Sequence, residues 1–92
     1  MGNLCSTLIQ VDILPSARKH GVGNEDIIHA FENCIGWVEA ADDPLRYLLA
    51  GPDRAGILIE LVVVVVENTE SIIHAMSLRP NTEVQIFGSR HE

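Results

Sequence analysis

The sequence Gly51-Pro-Asp-Arg-Ala-Gly-Ile-Leu-Ile-Glu-Leu-Val-Val-Val-Val-Val66 decides which fold we expect for this chain. A turn containing Gly-Pro and Ala-Gly opens it, and the run of β-branched residues that follows is typical of a central strand. The run is too short to cross a bilayer as a helix, and Glu60 interrupts it. Because five consecutive valines on an exposed edge would promote aggregation, we expect strands on both sides and helices over at least one face.

The composition indicates one small globular domain. The 92 residues suffice for a single core, which we place at residues 15–80, and 47% of them are apolar. The net charge of −7 argues against non-specific nucleic-acid binding, although it is compatible with a small basic cleft. Two cysteines without metal-site spacing, and the absence of a secretory signal, indicate reduced thiols and a cytoplasmic location, although the sequence leaves cysteine pairing open.

Both termini leave alternatives open. Residues 1–6 fit the short pattern for N-myristoylation, but such a pattern arises easily by chance and one acyl chain binds membranes weakly, so we predict no membrane attachment. Residues 3–14 fit either a short strand or the lead-in to a helix. The tail, residues 81–92, fits an edge strand, a helical turn or neither.

Two short helices are predicted before the strands. Pro15 fits the first position of a helix over residues 16–20, which Gly21 ends. Asn24 fits the N-cap of a second helix over residues 25–35. Its apolar residues recur at helical spacing and are expected to face the sheet. They are Ile27, Ile28, Phe31, Cys34 and Ile35.

The predicted strands follow at short spacing with tight turns, which is typical of an antiparallel meander. The sequence therefore predicts an α+β fold in which two short N-terminal helices pack on a four-stranded antiparallel sheet. These strands are residues 37–41, 45–50, the valine strand after Gly56 and residues 71–78.

Several cationic or titratable side chains are candidates for a functional site. No nucleophile elbow, P-loop, dinucleotide fingerprint or zinc spacing occurs, so we predict neither a metal nor a cofactor. If the fold brought the cations together, they would form a positive cleft suited to metal-independent RNA cleavage. There a base takes the proton of the attacking 2′-hydroxyl, and arginines stabilise the developing charge. The candidates for this cleft are Lys19, His20, Arg46, Arg54, His74 and Arg79, and all of them except Arg46 are the predicted catalytic residues.

Each of these residues also has a structural interpretation. Arg54 in a turn and Arg79 at a strand end are more often solvated charges than ligand-binding groups. Lys19 and His20 end a predicted helix, where cations complement the helix dipole. In strict alternation His74 shares a strand face with Ile72 and Met76, which fits a hydrogen-bonded core histidine as well as one at the rim of a cleft.

The chain resembles the BrnT-type toxins, small RelE-like ribonucleases of bacterial toxin–antitoxin pairs. Residues 17–22, Ala-Arg-Lys-His-Gly-Val, and the acidic start of the following helix are similar to the opening of that family. The loop of residues 51–56 with its valine strand, and residues 72–76, are similar to the family's central turn and its Ile-Ile-Ser-Ala-Arg segment. The resemblance covers residues 17–79.

This resemblance implies a RelE-like fold, a cognate antitoxin protein as partner and RNA as substrate. Lys19 and His20 match the family's Lys-His-Gly motif, and Arg54 is nearest to the arginine of the central turn. Met76 stands where the family has an arginine, and Arg79 is the nearest replacement. The choice between a monomer and a homodimer stays open.

Two other functions are compatible with the sequence. One is a non-catalytic protein-interaction module, which the acidic surface and the missing arginine favour. The other is a DNA-binding helix-turn-helix over residues 16–35, which ranks last because Glu25 and Asp26 would repel phosphate.

Overall fold

In the computed structural model, which describes residues 11–88, two α-helices and a short 3-10 helix surround one five-stranded sheet. The myristoylation pattern and the end of the tail lie outside these residues. None of the described helices is long and apolar enough to cross a membrane. The elements in chain order are β1 (Val11–Ile13), the 3-10 helix (Pro15–Arg18), α1 (Asn24–Glu32), β2 (Gly36–Asp42), β3 (Leu45–Pro52), β4 (Leu58–Val66), β5 (Thr69–Ser77) and α2 (Pro80–Phe87).

The sheet is mixed, with the strand order β1-β5-β4-β3-β2. Strands β2 to β5 form an antiparallel meander, whereas β1 runs parallel to β5. The predicted RelE/BrnT-like arrangement, two N-terminal helices on a four-stranded antiparallel sheet, is therefore wrong. The described part of the chain is α+β, but it has a fifth strand, one α-helix before the meander and one after it.

The two ends of the described chain account for this difference. Val11 and Ile13 pair with β5 and shield part of its edge. Pro15 begins only a 3-10 turn, since Gly21 follows before a stable α-helix can form. Pro80 begins α2, at a position where its missing N–H breaks no hydrogen bond.

The two faces of the sheet carry different helices. On one face, which we call the α1 face, α1 and the 3-10 helix cover the core. On the opposite α2 face, α2 packs against β2 and β3, with the side chains of Ile86 and Phe87 over Gly36. The buried core of the α1 face consists of Ala17, Ile27, Ala30, Leu49, Ile59, Leu61, Val63, Ile72 and Ala75.

A β-bulge in β5 changes which side chains share a face. Val62 of β4 pairs with His74. The next residue, Val63, pairs with Ile72, so Ile73 is the extra residue between them. Ile72 consequently enters the core of the α1 face, whereas His74 lies on the α2 face. The strict alternation predicted for this strand, which put Ile72 and His74 on one face, is wrong because of the bulge.

Gly51 lies where α1 approaches β3 most closely. A Cβ atom at Gly51 would overlap the carbonyl oxygen of Ala30. Nearby, the backbone N–H of Ile35 donates to the carbonyl oxygen of Ala50 at 2.8 Å, which fixes the chain after α1 to the same strand. Glycine is therefore required at position 51 because helix backbone occupies the space of a side chain.

We predict that Gly51→Ala lowers the free energy of unfolding by at least about 2 kcal/mol, since α1 must move away from β3. Gly23→Ala is the matched control, because a Cβ atom at Gly23 meets nothing within 4 Å. We expect it to cost less than about 1 kcal/mol as a changed helix N-cap. Urea unfolding of the three proteins measures both effects, and equal stability of the two variants would contradict the close approach.

Candidate functional site

The carboxylate of Glu60 lies in the middle of the α2 face and is completely buried. Its neighbours on the adjacent strands are Ala50 and Met76, which offer it no charge. An isolated buried carboxylate is strongly destabilising, so its stability in this position depends on hydrogen-bond donors from elsewhere in the chain.

Arg79, in the linker between β5 and α2, supplies most of these donors. Its Nη2 lies 2.6 Å and its Nε 3.1 Å from Oε2 of Glu60. Its backbone N–H donates to Oε1 at 3.1 Å. The Nη1 group takes part in none of these contacts and the side chain is 55% exposed, so Arg79 can also meet a ligand.

His74 donates to the same carboxylate. Its Nε2 lies 2.9 Å from Oε2 of Glu60. Because an ionised carboxylate only accepts hydrogen bonds, Nε2 carries the hydrogen, and in the neutral ring Nδ1 is then the acceptor. The side chain of His74 is 24% exposed, so a molecule in solution can reach it.

His20 reaches the ring of His74 from the edge of the sheet. The two rings meet edge to face, with centroids 5.6 Å apart and an interplanar angle of 74°. The 3-10 helix holds His20 there, because the hydroxyl of Ser16 donates to the carbonyl oxygen of Ile73 at 2.7 Å. The bulged residue of β5 thus provides the anchor for the segment that carries His20.

The hydrogen bonds to Glu60 determine its ionisation. Burial alone would raise the pKa of Glu60, but hydrogen bonds from Arg79, Thr82 and His74 outweigh burial and lower this pKa from 4.5 to about 2. The carboxylate in turn raises the pKa of Arg79. Thr82 is buried in the first turn of α2, so the charge of Glu60 links β4, β5 and α2.

Three of the five predicted site residues meet around this carboxylate. His20 contacts His74, and His74 and Arg79 both bind Glu60. Lys19 directly precedes His20 and is exposed. We call the assembly of His20, Glu60, His74, Arg79 and Thr82 the Glu60 cluster.

Arg54, the fifth predicted site residue, lies outside the Glu60 cluster. It is in the β3–β4 loop, where its Nε and backbone N–H donate to Oδ1 of Asp26 at 2.9 and 3.0 Å. Its Nη1 forms an ion pair with Glu25. The side-chain hydrogen bond from Arg54 lowers the pKa of Asp26. Both acids lie in the first turn of α1, so Arg54 attaches the loop to the start of that helix.

Two members of the Glu60 cluster, Glu60 and Thr82, were absent from the set predicted by sequence. The sequence could have indicated Glu60, because a glutamate between Ile59 and Leu61 in a strongly apolar strand is expected to be buried and therefore to need hydrogen-bond partners. The sequence around Glu60 does not identify these partners, and no sequence pattern around Thr82 distinguishes it from other threonines.

Within residues 11–88, no group of three or more His, Cys, Asp or Glu side chains is placed to hold one metal ion. The chain matches no protein-family model, no curated protein and no solved structure. The resemblance to BrnT-type toxins therefore stays a prediction.

The low pKa of Glu60 predicts an acid-dependent contribution to stability. Because the pKa is lower in the folded than in the unfolded chain, the contribution is present above about pH 4.5 and is lost as the pH falls towards 2. At about 1.4 kcal/mol per pH unit, this shift corresponds to about 3 kcal/mol.

We therefore expect Glu60→Gln to be less stable than wild type by about 3 kcal/mol at pH 7, and this difference to shrink below pH 4.5. Glu83→Gln, which removes an exposed carboxylate from α2, should change stability by less than about 0.5 kcal/mol. Urea unfolding between pH 2 and pH 7 gives both values. If the difference in the free energy of unfolding between wild type and Glu60→Gln stayed constant with pH, the lowered pKa of Glu60 would be disproved.

Proposed function

We propose that this chain is a metal-independent endoribonuclease of the cytoplasm that uses the Glu60 cluster. The observation that supports this most strongly is the contact between two solvent-accessible histidines, one of which is backed by an ionised carboxylate. Cleavage of RNA through its own 2′-hydroxyl needs a proton acceptor, a proton donor and a cation near the phosphate, and no metal.

His74 is placed to act as the general base. Glu60 holds the Nε2–H of the ring, so Nδ1 of the neutral imidazole carries the lone pair that can take the proton from a 2′-hydroxyl. The carboxylate fixes the orientation of the ring and stabilises the imidazolium formed when the proton arrives, as in other carboxylate–histidine pairs. The attacking oxygen then bonds to phosphorus and gives a 2′,3′-cyclic phosphate.

His20 and the neighbouring cations complete the reaction. A protonated His20 donates its proton to the 5′-oxygen as the P–O5′ bond breaks. Lys19, beside it in the chain, and Nη1 of Arg79 supply positive charge for the phosphate oxygens. This arrangement assigns a role to four of the five predicted residues and gives Arg54 a structural one.

The biological role that we propose is that of a toxin with a cognate antitoxin partner. Its support is the resemblance of residues 17–22 and of the valine strand to bacterial toxins. An endoribonuclease that is held inactive by a partner protein is consistent with that role.

The alternative function is a non-catalytic interaction module. The observation that favours it is the close ion pair between Arg79 and Glu60, because this pair cancels the positive charge that a phosphate-binding site needs. In that case the Glu60 cluster would serve only to hold α2 on the sheet.

Cleavage of a fluorescently labelled RNA oligonucleotide by purified protein in the presence of EDTA tests the enzymatic proposal. We expect products that end in a 2′,3′-cyclic phosphate and no cleavage of the 2′-deoxy analogue. His20→Gln and His74→Gln should each reduce the rate about 100-fold or more. His29→Gln is the histidine control, since His29 lies on α1 and contacts the carbonyl oxygen of Pro52.

The control should cleave at close to the wild-type rate when circular dichroism shows it folded. Cleavage that persists in a His20→Gln/His74→Gln double variant would come from a contaminant and would disprove the proposal. Failure of the folded wild-type protein to cleave RNA would favour the interaction module.

Induced expression in a bacterial host tests the toxin role separately. Wild type should arrest growth and deplete total RNA, and Lys19→Ala/His20→Ala should do neither. Normal growth with intact RNA, from wild-type protein shown to be folded and soluble, would contradict this role.

A further inference from the structure

A second candidate binding site lies on the α1 face, beyond the C-terminal end of α1. There the helix no longer covers the sheet, and a groove of about 220 Å³ remains open. It lies across the sheet from the Glu60 cluster and shares no residue with it. The residues that line it are Phe31, Trp37, Tyr47, Leu49, Val63 and Glu70.

Two aromatic rings form a corner in this groove. Trp37 and Tyr47 meet at an interplanar angle of 84° with centroids 5.4 Å apart, and Phe31 provides a further wall. Trp37 is 62% exposed, which is a large fraction for a tryptophan side chain. The faces of aromatic rings carry partial negative charge and attract cations.

The charged side chains at the groove are negative, like the faces of its aromatic rings. Glu70 lines it, and Glu39, opposite Tyr47 in the β2–β3 ladder, is on the same face of the sheet. None of the lining residues is a lysine or arginine, and the chain as a whole carries a net charge of −7. A cation is therefore the ligand that complements this surface.

The size of the groove limits the ligand to something small. Sites for drug-sized molecules usually measure about 300–1,000 Å³, and this groove is smaller. It fits one long side chain. Between the two basic side chains, arginine suits the geometry better, because its planar guanidinium can stack on a ring while its N–H groups bind a carboxylate.

We propose that this groove binds an arginine side chain of a basic segment in a partner protein. The guanidinium stacks in the corner between Trp37 and Tyr47, and Glu70 accepts its hydrogen bonds. The proposal does not depend on ribonuclease activity, since the Glu60 cluster lies on the other face of the sheet.

The fluorescence of Trp37, the single tryptophan of the chain, reports directly on this groove. The probe is a ten-residue Gly/Ser peptide that contains three arginines, and its counterpart has citrulline, which is neutral but of the same shape. We expect a saturable change in emission with the arginine peptide and about tenfold weaker binding of the citrulline peptide.

Two variants distinguish the effect of the groove carboxylate on binding from the effect of the protein's overall negative charge. Glu70→Gln should weaken binding of the arginine peptide about fivefold. Glu67→Gln removes the same charge from the exposed turn between β4 and β5, and should weaken binding less than about twofold. Both proteins should give the wild-type circular dichroism spectrum.

Three results would overturn the proposal. Equal affinity for the arginine and citrulline peptides would exclude recognition of a cation. Equal losses in Glu70→Gln and Glu67→Gln would show attraction to the overall charge instead of to the groove. A change in Trp37 emission with protein concentration alone would show that a second copy of the chain covers the groove.

Discussion

The carboxylate of Glu60 is ionised and buried in a valine-rich sheet, so it is stable only if hydrogen-bond donors surround it. The rest of the fold supplies these donors. Its donors come from three successive segments: His74 on β5, Arg79 in the linker and Thr82 on α2. The attachment of α2 therefore has an electrostatic part as well as the apolar contact of Phe87 with Gly36. Loss of any one donor removes a hydrogen bond from a carboxylate that is itself completely buried.

The bulge at Ile73 connects this electrostatic centre to the N-terminal segment. One extra residue in β5 directs His74 to the face of Glu60 while it keeps Ile72 in the core of the other face. The carbonyl oxygen of the same residue accepts the hydroxyl of Ser16, which brings His20 against His74. A single local irregularity thus produces the histidine pair on which the proposed chemistry rests.

The two faces of the sheet differ in chemical character, and this difference allows two kinds of binding in a small domain. The α2 face carries the Glu60 cluster, in which His74 and Arg79 bind a buried carboxylate and which we propose acts on RNA. The α1 face ends in an acidic, aromatic groove that suits a cation. Because the sheet separates them, a basic partner bound near Trp37 would leave His20 and His74 accessible to RNA.

The sequence by itself determined the elements whose signals are local: the central valine strand, its antiparallel partners and the amphipathic helix that begins near Asn24. It also identified His20, His74 and Arg79 as candidates. Tertiary structure alone decided the parallel strand β1, the covering helix α2, the bulge and the partners of Glu60. These features depend on hydrogen bonds between residues distant in the chain, such as Ser16 and Ile73, which are 57 positions apart, and local patterns of hydrophobicity contain no information about such pairs.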